Sequence, residues 1–173
     1  MLPATHGLAG RKLLRAAHNP FLMKKLIQLI NRTHFGQYSN KRFLSQAVAH
    51  LERLAQKRNP QAMYRLGMLY WDGHGVPQHK EHAIPLLQAA AQGGIPNAIF
   101  NLAVAYDNGY GVPKSHYKAF QYYTQAARLG NAEAIHAIGS FYCWGHGVDQ
   151  DYSKARHWYR KSAKLGYADA MCD

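Results

Sequence analysis

Three small groups of residues in this chain have types and spacings that invite chemistry. In "YWDGHGVPQ", Tyr70 to Gln78, Gly73 and Gly75 flank His74 in a Gly-x-Gly pattern of the kind that can wrap a phosphate. Just beyond it, His79 and His82 stand in an i, i+3 relation that could hold a metal, with Glu81 beside them. "SHYK", Ser115 to Lys118, spells the Ser-x-x-Lys of a serine acyl-enzyme. Cys143 lies near His146, a thiol with an imidazole close in sequence, and Cys172 is the chain's second cysteine.

Each group has a plainer reading. A phosphate loop follows a strand and opens a helix whose N-terminus cradles the anion, and no strand precedes Gly73. No Cys or carboxylate completes an obvious set around the histidines, so no metal and no other cofactor is assigned. Neither Ser-Asp-Asn nor Lys-Thr-Gly accompanies Ser115. The two cysteines read as small hydrophobes with free thiols. No catalytic residue is assigned, and the elements that hold these groups explain them better.

Those elements come from a repeat. Three abutting segments of 36 residues align without gaps: 59–94, 95–130 and 131–166. Gly73, Gly109 and Gly145 coincide, as do Gly75, Gly111 and Gly147, then Val76, Val112 and Val148. Ala62, Leu66 and Tyr70, four apart, make an apolar stripe on a first helix. Gly67, Ala103 and Gly139 form a column of small residues beside it. A helical glycine costs about 1 kcal/mol against alanine, so a small residue there implies two helices in close approach.

A second helix follows Pro77, Pro113 or Asp149, with Ser115 and Asp151 as N-caps and His79 as a poor capper in the same column. Ala83, Leu87 and Ala90–Ala91 with their equivalents form its buried face, and Gly94, Gly130 and Gly166 end it. Pro85 sits inside a second helix and is expected to kink or delay it. In the Gly-x-Gly-Val turn, the first glycine stops the first helix and the second permits the reversal. The valine pins the turn to the helices. The middle residue, His74 or Tyr110, reads as variable and exposed.

The pattern A-x-x-x-L-G-x-x-Y-x-x-G-x-G-V, with Ala in the second helix and A-A-x-x-G at its end, resembles the Sel-one-like repeat, a branch of the tetratricopeptide superfamily. It extends backwards through Ala47, Leu51 and Ala55, which fall 36 before Ala83, Leu87 and Ala91. The resemblance implies an all-α, right-handed α-solenoid of antiparallel helix pairs. Its organisation would be a flexible basic segment over 1–20, a degenerate capping repeat over 21–58, repeats over 59–94, 95–130 and 131–166, and the start of a truncated helix over 167–173. "QYSN", Gln37 to Asn40, lacks the glycine turn, which marks the first unit as a cap.

The resemblance further implies a non-enzymatic scaffold or adaptor that holds a protein or peptide in its concave groove. The family's groove positions fall here on Tyr64, Met68, Trp71 and Asp72. In the next repeat they are Asn97, Phe100, Val104, Asp107 and Asn108, and in the third Glu133, His136, Ser140, Cys143 and Trp144. The competing account is that several of these pack between neighbouring repeats. Some cysteine-rich relatives act on cell-wall or β-lactam substrates, which makes an enzyme the last-ranked reading.

Charge offers a second functional reading. The net charge is +12. Residues 1–58 carry 11 Lys+Arg and one acid, Glu52, giving +10, whereas 59–173 carry 10 and 8, giving +2. Lys24, Lys25, Arg32, Lys41, Arg42, Arg53, Lys57 and Arg58 form a basic patch that could meet nucleic acid or an anionic surface. "FLMKKLIQLINR" reads as an amphipathic helix that caps the solenoid. No apolar run approaches the ~20 residues of a membrane span. The compartment ranks as cytoplasm first, with an organelle matrix or the periplasm as alternatives. Oligomerisation through an exposed solenoid end is also open.

Overall fold

The computed structural model describes residues 40–74 and 76–167, with backbone alone for 40–44. The expected segment 1–20, the capping helix over 21–34, Lys24, Lys25, Arg32, Cys172 and the helix start beyond Tyr167 lie outside the described residues. So do the side chains of Lys41 and Arg42. The described residues from 41 onward belong to one compact unit.

Among the described residues there are seven α-helices and no strand. They are α1 (Asn40–Gln56), α2 (Pro60–Asp72), α3 (Lys80–Gln92), α4 (Pro96–Asn108), α5 (His116–Arg128), α6 (Ala132–Trp144) and α7 (Tyr152–Ala163). The pairs α2–α3, α4–α5 and α6–α7 are the three repeats. Packing runs serially: α2 on α3, α3 on α4, α4 on α5, α5 on α6, α6 on α7. Each unit therefore leans mainly on its neighbours, the all-α solenoid arrangement.

Local chemistry sets the helix ends. Asn59 and Asn131 precede α2 and α6, and their side chains accept the N–H of Ala62 at 3.0 Å and of Ala134 at 2.7 Å. Ser115 and Asp151 cap α5 and α7 by accepting from Lys118 N–H at 3.3 Å and Lys154 N–H at 2.9 Å. His79, in the same column, makes no side-chain cap bond. Gly73, Gly109 and Gly145 close α2, α4 and α6 with φ of 74°, 77° and 69°, a left-handed turn that glycine adopts without steric cost.

The turn is then pinned by a bond repeated in every unit. The N–H of His79, Ser115 and Asp151 donates to the carbonyl of Tyr70, Tyr106 and Tyr142, at 2.9, 2.7 and 2.8 Å. Gln78 and Gln150 add side-chain bonds to the carbonyls of Trp71 and Cys143 at 2.9 and 2.7 Å. Val112 and Val148 are half-buried against the core clusters, as a pin requires.

Close approach explains the small-residue column. A Cβ on Gly139 would lie 2.8 Å from the Tyr159 ring, and one on Gly67 would lie 3.2 Å from Leu87. Ala83, Leu87, Ala90, Leu102, Ala103, Ile135 and Ile138 are all at most 1% exposed. Each of the larger ones contributes about 1.5–3 kcal/mol relative to exposure. In α7, Ser162 replaces the alanine of this face and is fully buried, its hydroxyl donating to the carbonyl of Ala132 at 3.1 Å.

Pro85 neither delays nor splits α3, which starts at Lys80, in register with His116 and Tyr152, and runs through to Gln92. The proline lies on the exposed side, where a carbonyl deprived of its N–H partner is open to water.

Candidate partner-binding surface

The first helices of the repeats bring equivalent residues into rows. Tyr64, Phe100 and His136 make one row and Met68, Val104 and Ser140 the next; all six are half-buried. Tyr64 and Met68 pack on one core cluster, Phe100 and Val104 on the following one. Polar side chains stitch the rows across repeats. Asn101 Nδ2 donates to Met68 Sδ at 2.8 Å, and Asn131 Nδ2 to Asn97 Oδ1 at 3.3 Å. Burial pushes the Tyr64 phenol pKa up, opposed by hydrogen bonds from Asn97 and Asn101.

Other residues of the set have intramolecular partners. Asp107 accepts from His116 Nδ1 at 2.9 Å and from the Tyr123 hydroxyl at 3.5 Å. Burial, reinforced by that carboxylate, pushes the Tyr123 pKa up. Asn108 Nδ2 donates to the Val104 carbonyl at 3.0 Å. His136 lies against the rings of Tyr159 and Tyr167, at 5.0 and 5.2 Å, and burial lowers its pKa. Asp72 and Asn97 are exposed, as is Glu133. Trp144 is 66% exposed, the most exposed large hydrophobic among the described residues.

The middle residue of the glycine turn is exposed, as expected, and at Tyr110 and His146 it is also a contact between repeats. Tyr110 meets Trp71 of the preceding repeat edge-on at 5.8 Å, and the Lys80 ammonium lies 3.7 Å from the Tyr110 ring centre. His146 stacks on His116 of the preceding repeat at 4.8 Å. Beside them, a Cβ on Gly111 or Gly147 would come within 2.9 Å of the backbone of Lys80 or His116. The turn is a docking element between repeats.

The groups that invited chemistry are engaged elsewhere. Ser115 Oγ caps α5 while the Lys118 ammonium sits 5.2 Å from the Tyr106 ring centre. His79 and His82 lie ring to ring at 5.1 Å, and among the described residues no three metal-binding side chains converge. A recess of about 240 Å³ is lined by Tyr106, Lys118, Gln121, Tyr122 and Gln125, without a nucleophile–base pair.

Cys143 corrects the expectation of free thiols: it is disulfide-bonded and 2% exposed. A disulfide depends on Cα separation and side-chain direction in space, not on sequence spacing.

The Sel1 repeat model matches residues 60–95, 96–131 and 132–167. The chain belongs to the Sel1 repeat family. Solved structures agree. A protective antigen of uropathogenic Escherichia coli with an SLR fold is 34% identical, with a TM-score of 0.69 over 70% of this chain and 26% of that one. A Sel1 repeat protein of Oxalobacter formigenes is 34% identical, with a TM-score of 0.64 over 69% of this chain and 47% of that one. Cysteine-rich protein B of Helicobacter pylori, at 24% identity and a TM-score of 0.58 over 78% and 96%, shares the fold. The chain thus spans about a quarter of the first relative and about half of the second. No curated protein matches. Sel1 repeats typically build protein–protein interaction scaffolds.

No rule of spacing marked the Trp71–Tyr110–Lys80 and His116–His146 contacts. Their partners across repeats lie thirty or more residues apart in the sequence, beyond the reach of helical periodicity or capping rules.

Proposed function

We propose that the protein is a non-enzymatic scaffold that holds a protein or peptide partner in a concave groove along α2, α4 and α6. The observation that carries this is the pair of rows Tyr64–Phe100–His136 and Met68–Val104–Ser140, partly exposed on the first helices of three successive repeats. Such rows repeat at the spacing of the units, as an extended or helical peptide requires. Trp71 and the exposed Trp144 supply the aromatic anchors that dominate binding energy in interfaces, and Asp72, Asn97 and Asn108 supply a polar rim. Because the chain covers a fraction of its relatives' length, whole-protein roles of those relatives are not carried over.

Two intact-protein pull-downs test the reading, one with the native chain and one with Tyr64→Ala, Phe100→Ala and Trp144→Ala combined. The expected result is a specific partner lost by the triple variant and kept by a variant of equal stability outside the rows. Partners retained unchanged by the triple variant refute the groove.

A second reading, binding of nucleic acid or an anionic surface through the basic N-terminal end, draws on Arg53, Lys57 and Arg58, all exposed at the end of α1 and beyond it. Oligomerisation through a solenoid end also stands as a proposal. No helix among the described residues is long and apolar enough to cross a membrane. The compartment stands as a proposal, cytoplasm first, with an organelle matrix or the periplasm as alternatives.

A further inference from the structure

The last described helix carries an excess of cations that averages out in the sequence totals, the Lys161 ammonium lying 5.0 Å from the Trp158 ring centre. Residues 152–164 contain Lys154, Arg156, Arg160, Lys161 and Lys164 and no acid. Asp151 serves Lys154, capping α7 and pairing with the Lys154 ammonium at 3.1 Å. Arg156, Arg160, Lys161 and Lys164 are exposed, and among the described residues none of them meets a carboxylate. The helix dipole accounts for cations in the last turn but not for Arg156 in the middle of the helix.

At 100° per residue these four span an arc of about 140°. Arg156 and Arg160 lie on one flank, Lys161 on the other, and Lys164 with exposed His157 near the crest. The opposite side, Ala155, Tyr159 and Ser162, is buried. The 12-residue helix is therefore a convex basic ridge about 18 Å long. A flat anionic bilayer would meet only the crest, and α7 has no free apolar side to insert. A groove walled by anions on both sides would engage both flanks. The major groove of B-form DNA, about 12 Å wide and bordered by two phosphate strands, admits a helix of this size.

We propose that the outer face of α7 is a phosphate-contacting ridge for duplex DNA, with Arg156 and Arg160 on one strand's phosphates and Lys161 on the other's. Contacts of this kind position a protein without reading sequence. The ridge lies on a second helix, away from the rows on α2, α4 and α6, so its failure and that of the groove are distinguishable.

The test is fluorescence anisotropy of the full chain with a mixed-sequence duplex across about 50 to 200 mM salt. The native protein is compared with R156Q/R160Q/K161Q/K164Q, glutamine being a helix former comparable to the residues replaced. The expected result is duplex binding whose log–log salt slope falls in magnitude by about 3 to 4 in the variant. Should the quadruple variant fold poorly by circular dichroism, R156Q alone should lower the slope by about 1. No duplex binding by the native protein, or an unchanged slope in the variants, overturns the proposal. So does variant-sensitive binding to phosphatidylserine vesicles or polyglutamate with duplex binding absent.

Discussion

At the scale of single residues, capping shows how the same position can be strong or weak in sister repeats. Asn131 accepts the Ala134 N–H at 2.7 Å, so Asn131→Ala should cost about 1 kcal/mol. His79 occupies a cap column without a cap bond. His79→Asp should therefore stabilise by a comparable amount, about 1 kcal/mol. Denaturant midpoints of the two variants should move in opposite directions from the native value; movement in the same direction refutes the assignment. His136 offers a pH test. Burial lowers its folded pKa, so the unfolded chain binds the proton more tightly. The contribution of His136 to stability is then complete above pH about 6.5 and falls as pH drops through the folded value. His136→Phe, the residue that repeat 2 carries at Phe100, should flatten the acid side of the melting-temperature profile relative to the native chain.

At the scale of elements, the small-residue column and the turn glycines hold the helices at their spacing. Gly139→Ala would set a methyl 2.8 Å from the Tyr159 ring, an overpacking expected to cost roughly 1–3 kcal/mol. Gly67→Ala meets side-chain atoms alone, Leu87 at 3.2 Å and Leu86 Cβ at 3.4 Å, a milder approach than that at Gly139. Its gain in helix propensity of about 1 kcal/mol offsets the strain. Gly111→Ala combines a φ of 68° with a Cβ 2.9 Å from the Lys80 backbone. It should weaken the interface between repeats and broaden the unfolding transition beyond that of Gly139→Ala. Equal and small effects at all three glycines, read by chemical denaturation, would contradict this account. The column was legible beforehand because glycine inside a helix is costly and so signals contact. The inter-repeat contacts of the turn's middle residue were not legible because their partners lie thirty or more residues away in the sequence.

At the scale of the whole molecule, stability is a sum of repeat and interface terms, and Cys143 adds a covalent constraint at the last repeat. Alkylation of the unfolded chain without reductant should leave Cys143 unlabelled, and reduction should lower the melting temperature. Labelling of Cys143 under oxidising conditions would refute the bond. The sequence by itself determined the helix pairs and their serial stacking. Those follow from short-range rules of periodicity, capping and left-handed turns that repeat every 36 residues. Only the tertiary structure decided which side chains meet: Tyr110 on Trp71, His146 on His116, Asp107 held by two partners, and a basic ridge along α7. The physical reason is range. A helix end is governed by neighbours within one turn, whereas a contact across repeats depends on how separate helices lie in space, which no local rule encodes.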